Sequence, residues 1–275
     1  MPIKSIKFLL VIVLIVFSIS LHARESVYSV GVVPQFDSRK VFKIWNPILK
    51  ELEKSTGLIF ELVGSPNIPE FEHKFQAGVF DFVYLNPFHM LVAKVAQDYQ
   101  PLVRDHGRAL KGILVVRKDS QINSVKELDG KIVAFPAPNA LGASLLMRAE
   151  LENLFGIKVQ PKYVKNHKNV YLKVVRKNAA AGGGVKRTLV AQPARIKDDL
   201  RIIHTTREVA PHPFAVHPRV AKEIQEKVRA GLLKMGKTEE SRRLLKQVPI
   251  REIGESKFED YLILRDWGLK KFYVK

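Results

Sequence analysis

Hydrophobic and polar positions alternate along this chain on two different periods, and the switches between them mark out its elements. The first residues stand apart. Lys4 and Lys7 precede an unbroken apolar run from Phe8 to Phe17, and small or polar residues follow from Ser18 to Ala23. A charged end, an apolar core and small residues at a cut predict a secretory signal peptide over residues 1–23. The apolar run is short for a membrane span, which needs about 20 residues; an uncleaved anchor is the alternative.

Beyond it, Val27–Val33 reads as a buried strand. Asp37 or Ser38 caps a helix carrying Val41, Phe42, Trp45, Ile48, Leu49 and Leu52 at helical spacing, and Gly57 stops it. Leu58–Val63 is a second strand. Pro69 suits the first turn of a helix bearing Phe71 and Phe75. Phe80–Leu85 is a third strand, followed by a turn at Asn86-Pro87 and a helix through Val95. The alternation then restarts, with strands at Gly112–Arg117, Lys131–Phe135, Val159–Val164 and Leu200–His204. The helices between them are read at Ser124–Leu128, Gly142–Phe155 and Tyr171–Lys177, with a break at Gly182-Gly183-Gly184. From Pro218 the pattern is mostly helical.

Strand–helix alternation with short joints predicts an α/β protein built on parallel sheets flanked by helices. Two such blocks, with the chain leaving and re-entering the first, predict two lobes. Each has a mostly parallel sheet, and two hinge strands cross near Lys111–Val116 and Pro211–His217. The expected boundaries are residues 24–111 plus 214–275 for lobe I and 112–213 for lobe II. A single doubly wound domain with a helical tail is the rival.

Composition narrows the partners. The 46 Lys and Arg outnumber the 27 Asp and Glu, a formal net charge of +19, which attracts anions. The basic residues are scattered, without the aromatic-basic alternation of a nucleic-acid face, and export also speaks against nucleic acid. A small anionic solute remains, beside the plainer reading of a solubilising surface. The absence of Cys removes any lipid-modified cysteine, so the mature protein is expected free in a periplasm, as a monomer.

In open α/β sheets ligands sit beyond the carboxyl ends of strands, where helix N-termini offer unpaired amides. That rule selects Gln35 after the first strand, and Tyr84 with Asn86 after the third, although helix capping also explains Asn86. It selects the loop Pro136–Ser144 as well. There Asn139, the backbone of Leu141, Gly142 and Ala143, and the Ser144 hydroxyl are candidate donors to oxyanion oxygens; a plain helix start is the alternative. His167 begins a helix after a strand. Gly183 centres a glycine run that reads as a nest of backbone donors, without the Lys-Ser or Lys-Thr of a phosphate loop. His212 and His217, in PHPFAVHP, lack metal-site spacing. No nucleophile elbow or acidic pair is evident, so no catalytic residue, metal or cofactor is expected.

GVVPQFD, IPEFEHKFQAGVFDFVYLNPFH, LKGILVVRKDS, VKELDGKIVAFPAPNALGAS and APHPFAVHPRV resemble the phosphate/phosphite/phosphonate-binding proteins of ABC importers, within the type II periplasmic binding fold. The resemblance runs from about Tyr28 to Gly236. It implies two α/β lobes closing on an oxyanion, with Tyr84 at the family's cleft tyrosine, Ala140–Ser144 at its oxyanion cradle and His167 at its histidine. Two departures stand out: Ala140-Leu141-Gly142 replaces a Ser-Thr-Ser run, and Gly182–Gly184 falls where an acidic residue is usual. The expected partner is an ABC permease, or alternatively a membrane sensor that reads the liganded form; an enzyme on the same scaffold is the third reading.

Overall fold

A computed structural model describes residues 26–248 and 250–274; the expected signal peptide lies outside them. Among the described residues no helix is long and apolar enough to cross a membrane. Two mixed sheets organise the chain. The first contains β1 (Val27–Val32), β2 (Ile59–Val63), β3 (Phe82–Tyr84), β4 (Gln100–Asp105), β10 (Phe214–Val216) and β11 (Ile253–Glu255), in the order β11-β4-β10-β3-β1-β2. The second contains β5 (Ile113–Arg117), β6 (Ile132–Phe135), β7 (Gln160–Tyr163), β8 (Ala181–Gly184) and β9 (Leu200–Thr205), in the order β7-β6-β8-β5-β9.

Strands joined by helical crossovers pair in parallel, β1 with β2 and β3, and β6 with β7 and β8. The strands at the points where the chain crosses between sheets, β5 and β10, pair antiparallel. The sheets are therefore mixed rather than mostly parallel, because a strand entering from the opposite half runs against its neighbours. Between the sheets the two crossing segments hold each other: Leu110 and Val209 exchange backbone bonds of 2.8 and 3.1 Å, and Gly112 N donates to Thr206 Oγ1 at 2.8 Å.

The helices follow from their caps and stripes. α1 (Ser38–Thr56) starts where Asp37 accepts from Lys40 N and ends at Gly57, which takes the left-handed φ of 65° that glycine tolerates. It buries Val41, Ile44, Trp45, Ile48, Leu49 and Leu52 against the first sheet. α2 (Ile68–Gln76) and α3 (Pro87–Gln97) are capped by Asn67 and Asn86. In the second half, α4 (Leu146–Asn153) lies beneath one face of the sheet and α5 (His167–Val175) on the other. β5 shows the period-two division directly: Ile113 and Val115 join the cluster of Val170, Tyr171 and Val174, while Leu114 and Val116 join that of Met147 and Leu151. Short α6 (Lys186–Val190) and α7 (Ala194–Lys197) follow β8, and α8 (Lys222–Met235) and α9 (Glu239–Gln247) complete the first half.

Two local outcomes differ from expectation and both bear on the site. The helix expected from Gly142 begins as a wide π turn, Leu141–Leu145, before α4. The glycine run is the strand β8, not a nest of donors. A side chain on any of its three glycines would collide with a packed neighbour: Gly182 with Val170 at 2.6 Å, Gly183 with the Ala143 carbonyl oxygen at 1.9 Å, and Gly184 with the Tyr171 hydroxyl at 2.2 Å. The run is glycine because helix α5 and the π turn press directly on the strand.

The tail also departs from expectation. The 3₁₀ segment Phe258–Arg265 packs against α3 of the first half, but the next, Leu269–Phe272, packs against α4 of the second. Residues 214–275 thus do not all stay with the first sheet. The cause is a set of buried partners: Arg148 donates to Phe272 O at 2.7 Å, and Val274 N donates to Asn139 Oδ1 at 3.0 Å.

Candidate functional site

The carboxyl ends of β1, β3, β6 and β8 converge between the halves, and two small adjoining chambers lie there. Both are lined by Val33 and Gln35. The first adds Asn86, Leu141, Gly142, Ala143, His167, Val185 and His212; the second adds Phe36, Val41, Ile44, Trp45, Tyr84 and Arg187. Their free volumes are about 30 and about 20 Å³, so the halves stand nearly shut and the space suits a ligand of a few heavy atoms, well below the roughly 300 Å³ of drug-sized sites.

The π turn supplies backbone donors. Its ladder begins with Ser144 N, which bonds Ala140 O at 2.7 Å, so the N–H groups of Leu141, Gly142 and Ala143 are the turn's unpaired ones. They are the free first-turn amides of a helix start, here on a π turn, a feature that recurs in functional sites. A carboxylate is absent from the lining of both chambers.

Two histidines face the first chamber. His167 opens α5, whose cap is Asn166 accepting from Asn169 N. Its Nδ1 is buried without a hydrogen-bond partner, and burial pushes its pKa down to about 4. His212 comes from the returning hinge segment. The Gln35 amide donates to its Nε2 at 2.8 Å, which fixes the neutral ring as an Nδ1–H donor. That Nδ1 is likewise buried and unpartnered. Burial, reinforced by the positive charges of Arg108 and Arg187, pushes the His212 pKa down to about 3. Both rings are therefore neutral near pH 7 and offer hydrogen bonds rather than charge.

Of the residues expected from the sequence, Gln35, Asn86, Leu141, Gly142, Ala143 and His167 meet at the first chamber. Asn86 contributes a wall more than a free donor. Its Oδ1 caps α3 by accepting from His89 N at 2.8 Å, and its Nδ2 donates across to Asn139 O at 3.2 Å. Tyr84 belongs to the second chamber, stacked on His212 at 5.4 Å and tilted against Trp45 at 4.9 Å, with burial raising its pKa to about 12.

Three expected residues turn elsewhere. Ser144 Oγ accepts from Arg148 Nε at 3.2 Å, on the side of the turn away from the chambers' lining. Gly183 is covered by the Ala143 carbonyl. Asn139 serves as a latch. It donates to Glu72 Oε2 at 3.1 Å and to Val274 O at 2.6 Å, and accepts from Val274 N at 3.0 Å. Asn139→Ala is expected to remove these bonds and shift the halves toward an open state, visible as a larger radius of gyration in small-angle scattering, with a stability loss of about 1–3 kcal/mol. An unchanged scattering profile and melting curve would contradict the latch.

Two residues were missed, His212 and Arg187. Arg187 reaches from α6 across the gap, with its guanidinium 5.1 Å from the Phe36 ring and an N–H donating to Gln247 O. Burial first, then the nearby Arg108, lowers its pKa to about 10, against a raising influence of Tyr84. It remains a cation at neutral pH, and among the described residues no carboxylate pairs with it. The signal that finds it is the same strand-end rule, applied after β8.

Comparison with known proteins identifies the family and the fold. The family model described as "ABC transporter, phosphonate, periplasmic substrate-binding protein" matches residues 30–261. No curated protein matches in sequence. Among solved structures, a binding-protein component of an ABC phosphonate transporter from Pseudomonas aeruginosa superposes with a TM-score of 0.81 at 16% identity, covering 90% of this chain and 87% of that one. PhnD1 from Prochlorococcus marinus, in complex with methylphosphonate, gives 0.80 at 16% identity, covering 90% and 99%. A Xanthomonas citri protein bound to chloride gives 0.73 at 18% identity, covering 90% and 98%. These likenesses establish the two-lobed type II binding-protein fold. With the family model matched across most of its length, the chain belongs to the periplasmic phosphonate-binding proteins of ABC transporters.

Proposed function

We propose that this protein captures a small phosphonate or related oxyanion in the periplasm and hands it to an ABC permease, without chemical turnover. The observation that carries this reading is the set of unpaired polar groups around one small chamber: three π-turn amides, the Nδ1–H of His212, and the buried Nδ1 of His167, which donates in its Nδ1–H tautomer. Hydrogen bonds to a charged group contribute about 1.5–3 kcal/mol each, so four or five of them hold an oxyanion firmly. Neutral donors spare the cost of burying several cations together.

Export by residues 1–23 and action as a monomer complete the proposal. The halves are joined by two extended crossings and by side-chain latches, a construction suited to closing around a solute by hinge motion.

Isothermal calorimetry with methylphosphonate, phosphite, phosphate and sulfate tests it. Heat of binding with at least one of them is expected, and His167→Ala is expected to weaken that ligand by about tenfold or more, the value of one charge-assisted bond. No heat with any of the four would reject the ligand class, and release of an altered product would reject binding without turnover.

A further inference from the structure

The second chamber points to what the ligand carries beyond its first oxyanion. It opens off the first past Val33 and Gln35, and its walls are apolar except for Gln35, the Tyr84 hydroxyl and Arg187. Arg187 is held half-buried over the Phe36 ring and reaches Gln247 O, which accounts for part of its donor fork; an arginine has five N–H donors. A partly buried guanidinium without a carboxylate is costly unless something negative shares the space. Nothing lining either chamber is negative. An ammonium group on a ligand would meet Arg187 and the Nδ1–H of His212, with no carboxylate in the lining to offset their repulsion.

Resting on the functional reading above, we infer that the ligand is a compact two-ended anion. Its phosphonate is held by the π-turn amides, His167 and His212, and a second anionic group such as a carboxylate is held by Arg187 and Tyr84. Aminoalkyl phosphonates are selected against. Trp45, Ile44 and Val41 set the length of the tether, since they close the far wall and leave room for only a few heavy atoms. Arg187 acts as the specificity-determining residue: it adds affinity only for ligands whose second group is negative.

The probes are phosphonoacetate, methylphosphonate and 2-aminoethylphosphonate, titrated by calorimetry into the wild type, Arg187→Gln and Lys186→Gln. Lys186 is the exposed neighbour on the same short helix and controls for loss of charge alone. The wild type is expected to bind phosphonoacetate about tenfold or more tighter than methylphosphonate, and 2-aminoethylphosphonate most weakly, the scale of one added charge-assisted contact. Arg187→Gln should erase the phosphonoacetate preference while retaining methylphosphonate, and Lys186→Gln should keep the full preference. A melting curve on each variant confirms that it is folded. Equal affinity of the wild type for all three probes, tighter binding of the amine, or a preference that survives Arg187→Gln overturns this assignment while leaving the oxyanion reading intact. Failure of all three probes, and of phosphate, removes both.

Discussion

Gly183→Ala is expected to be among the most damaging single-methyl changes available in this protein, for stability and for binding together. The added Cβ would fall 1.9 Å from the Ala143 carbonyl oxygen and 2.6 Å from Phe135 Cδ1, and backbone cannot swing aside as a flexible side chain can. Overpacking of this kind costs about 1–3 kcal/mol or more, or roughly 2–12 °C in melting temperature for a chain of this size. The strand cannot move without unpairing from β5, so the π turn yields instead and its three amides lose their aim. Affinity for a phosphonate should fall at least about tenfold. Gly57→Ala is the control. It forces an alanine into a left-handed φ of 65° with no atom within 4 Å of the new methyl, which costs about 1–2 kcal/mol and should leave affinity unchanged. Calorimetry and thermal melts on the pair decide the matter, and full phosphonate affinity in Gly183→Ala would show that β8 does not position the turn.

The second large effect is on pH. Stability is expected to decline as pH falls from about 7.5 to about 5, well before carboxylates titrate. His167 and His212 have folded pKa values of about 4 and about 3, below the 6.5 of an exposed histidine. Such groups favour the folded state only while the unfolded chain is also neutral. Their contribution is complete above pH 6.5 and is lost as pH drops toward the folded values. Between pH 6.5 and 5 each accounts for about 2 kcal/mol. Asp81, Glu150 and Asp260 have depressed pKa values, with burial opposed by their hydrogen bonds to Ser29 and Arg219, His204 and Arg207, and Arg104 and Lys257 respectively. Their contribution is lost with the same sign at lower pH. Urea titrations at both pH values measure the decline, and His167→Gln should reduce it by about half. A stability independent of pH over that interval would mean that the two rings are not buried neutral.

What could be read from residues alone followed the visibility of the strands. Long apolar runs such as Val27–Val33 and Lys131–Phe135 announced themselves, and the loops after them, with Gln35 and Leu141–Ala143, came with them. β8 has the sequence AGGG and no apolar side chain larger than alanine, so it read as a break; the loop beyond it, and with it Arg187, was passed over. β10 is three residues long and lies among prolines; the hinge crossing at Pro211–His217 was legible, but His212 within it read only as a histidine without metal-site spacing. Local capping was legible at Asp37 and Asn86. The direction of the Asn139 and Ser144 side chains was not, because it is set by Val274 and Arg148, which lie far off in sequence or one turn away on a helix whose first turn is irregular.

The tail has a mechanical consequence. Because Leu269–Phe272 rides on α4 while Phe258–Arg265 stays with α3, the chain spans the gap a third time, in addition to the paired crossings at Leu110 and Val209. A third tether limits how far two halves can separate beyond what a pair of crossings allows. Opening of the two halves is accordingly expected to run to the slack between Arg265 and Leu269 and stop, like a door with its chain fastened.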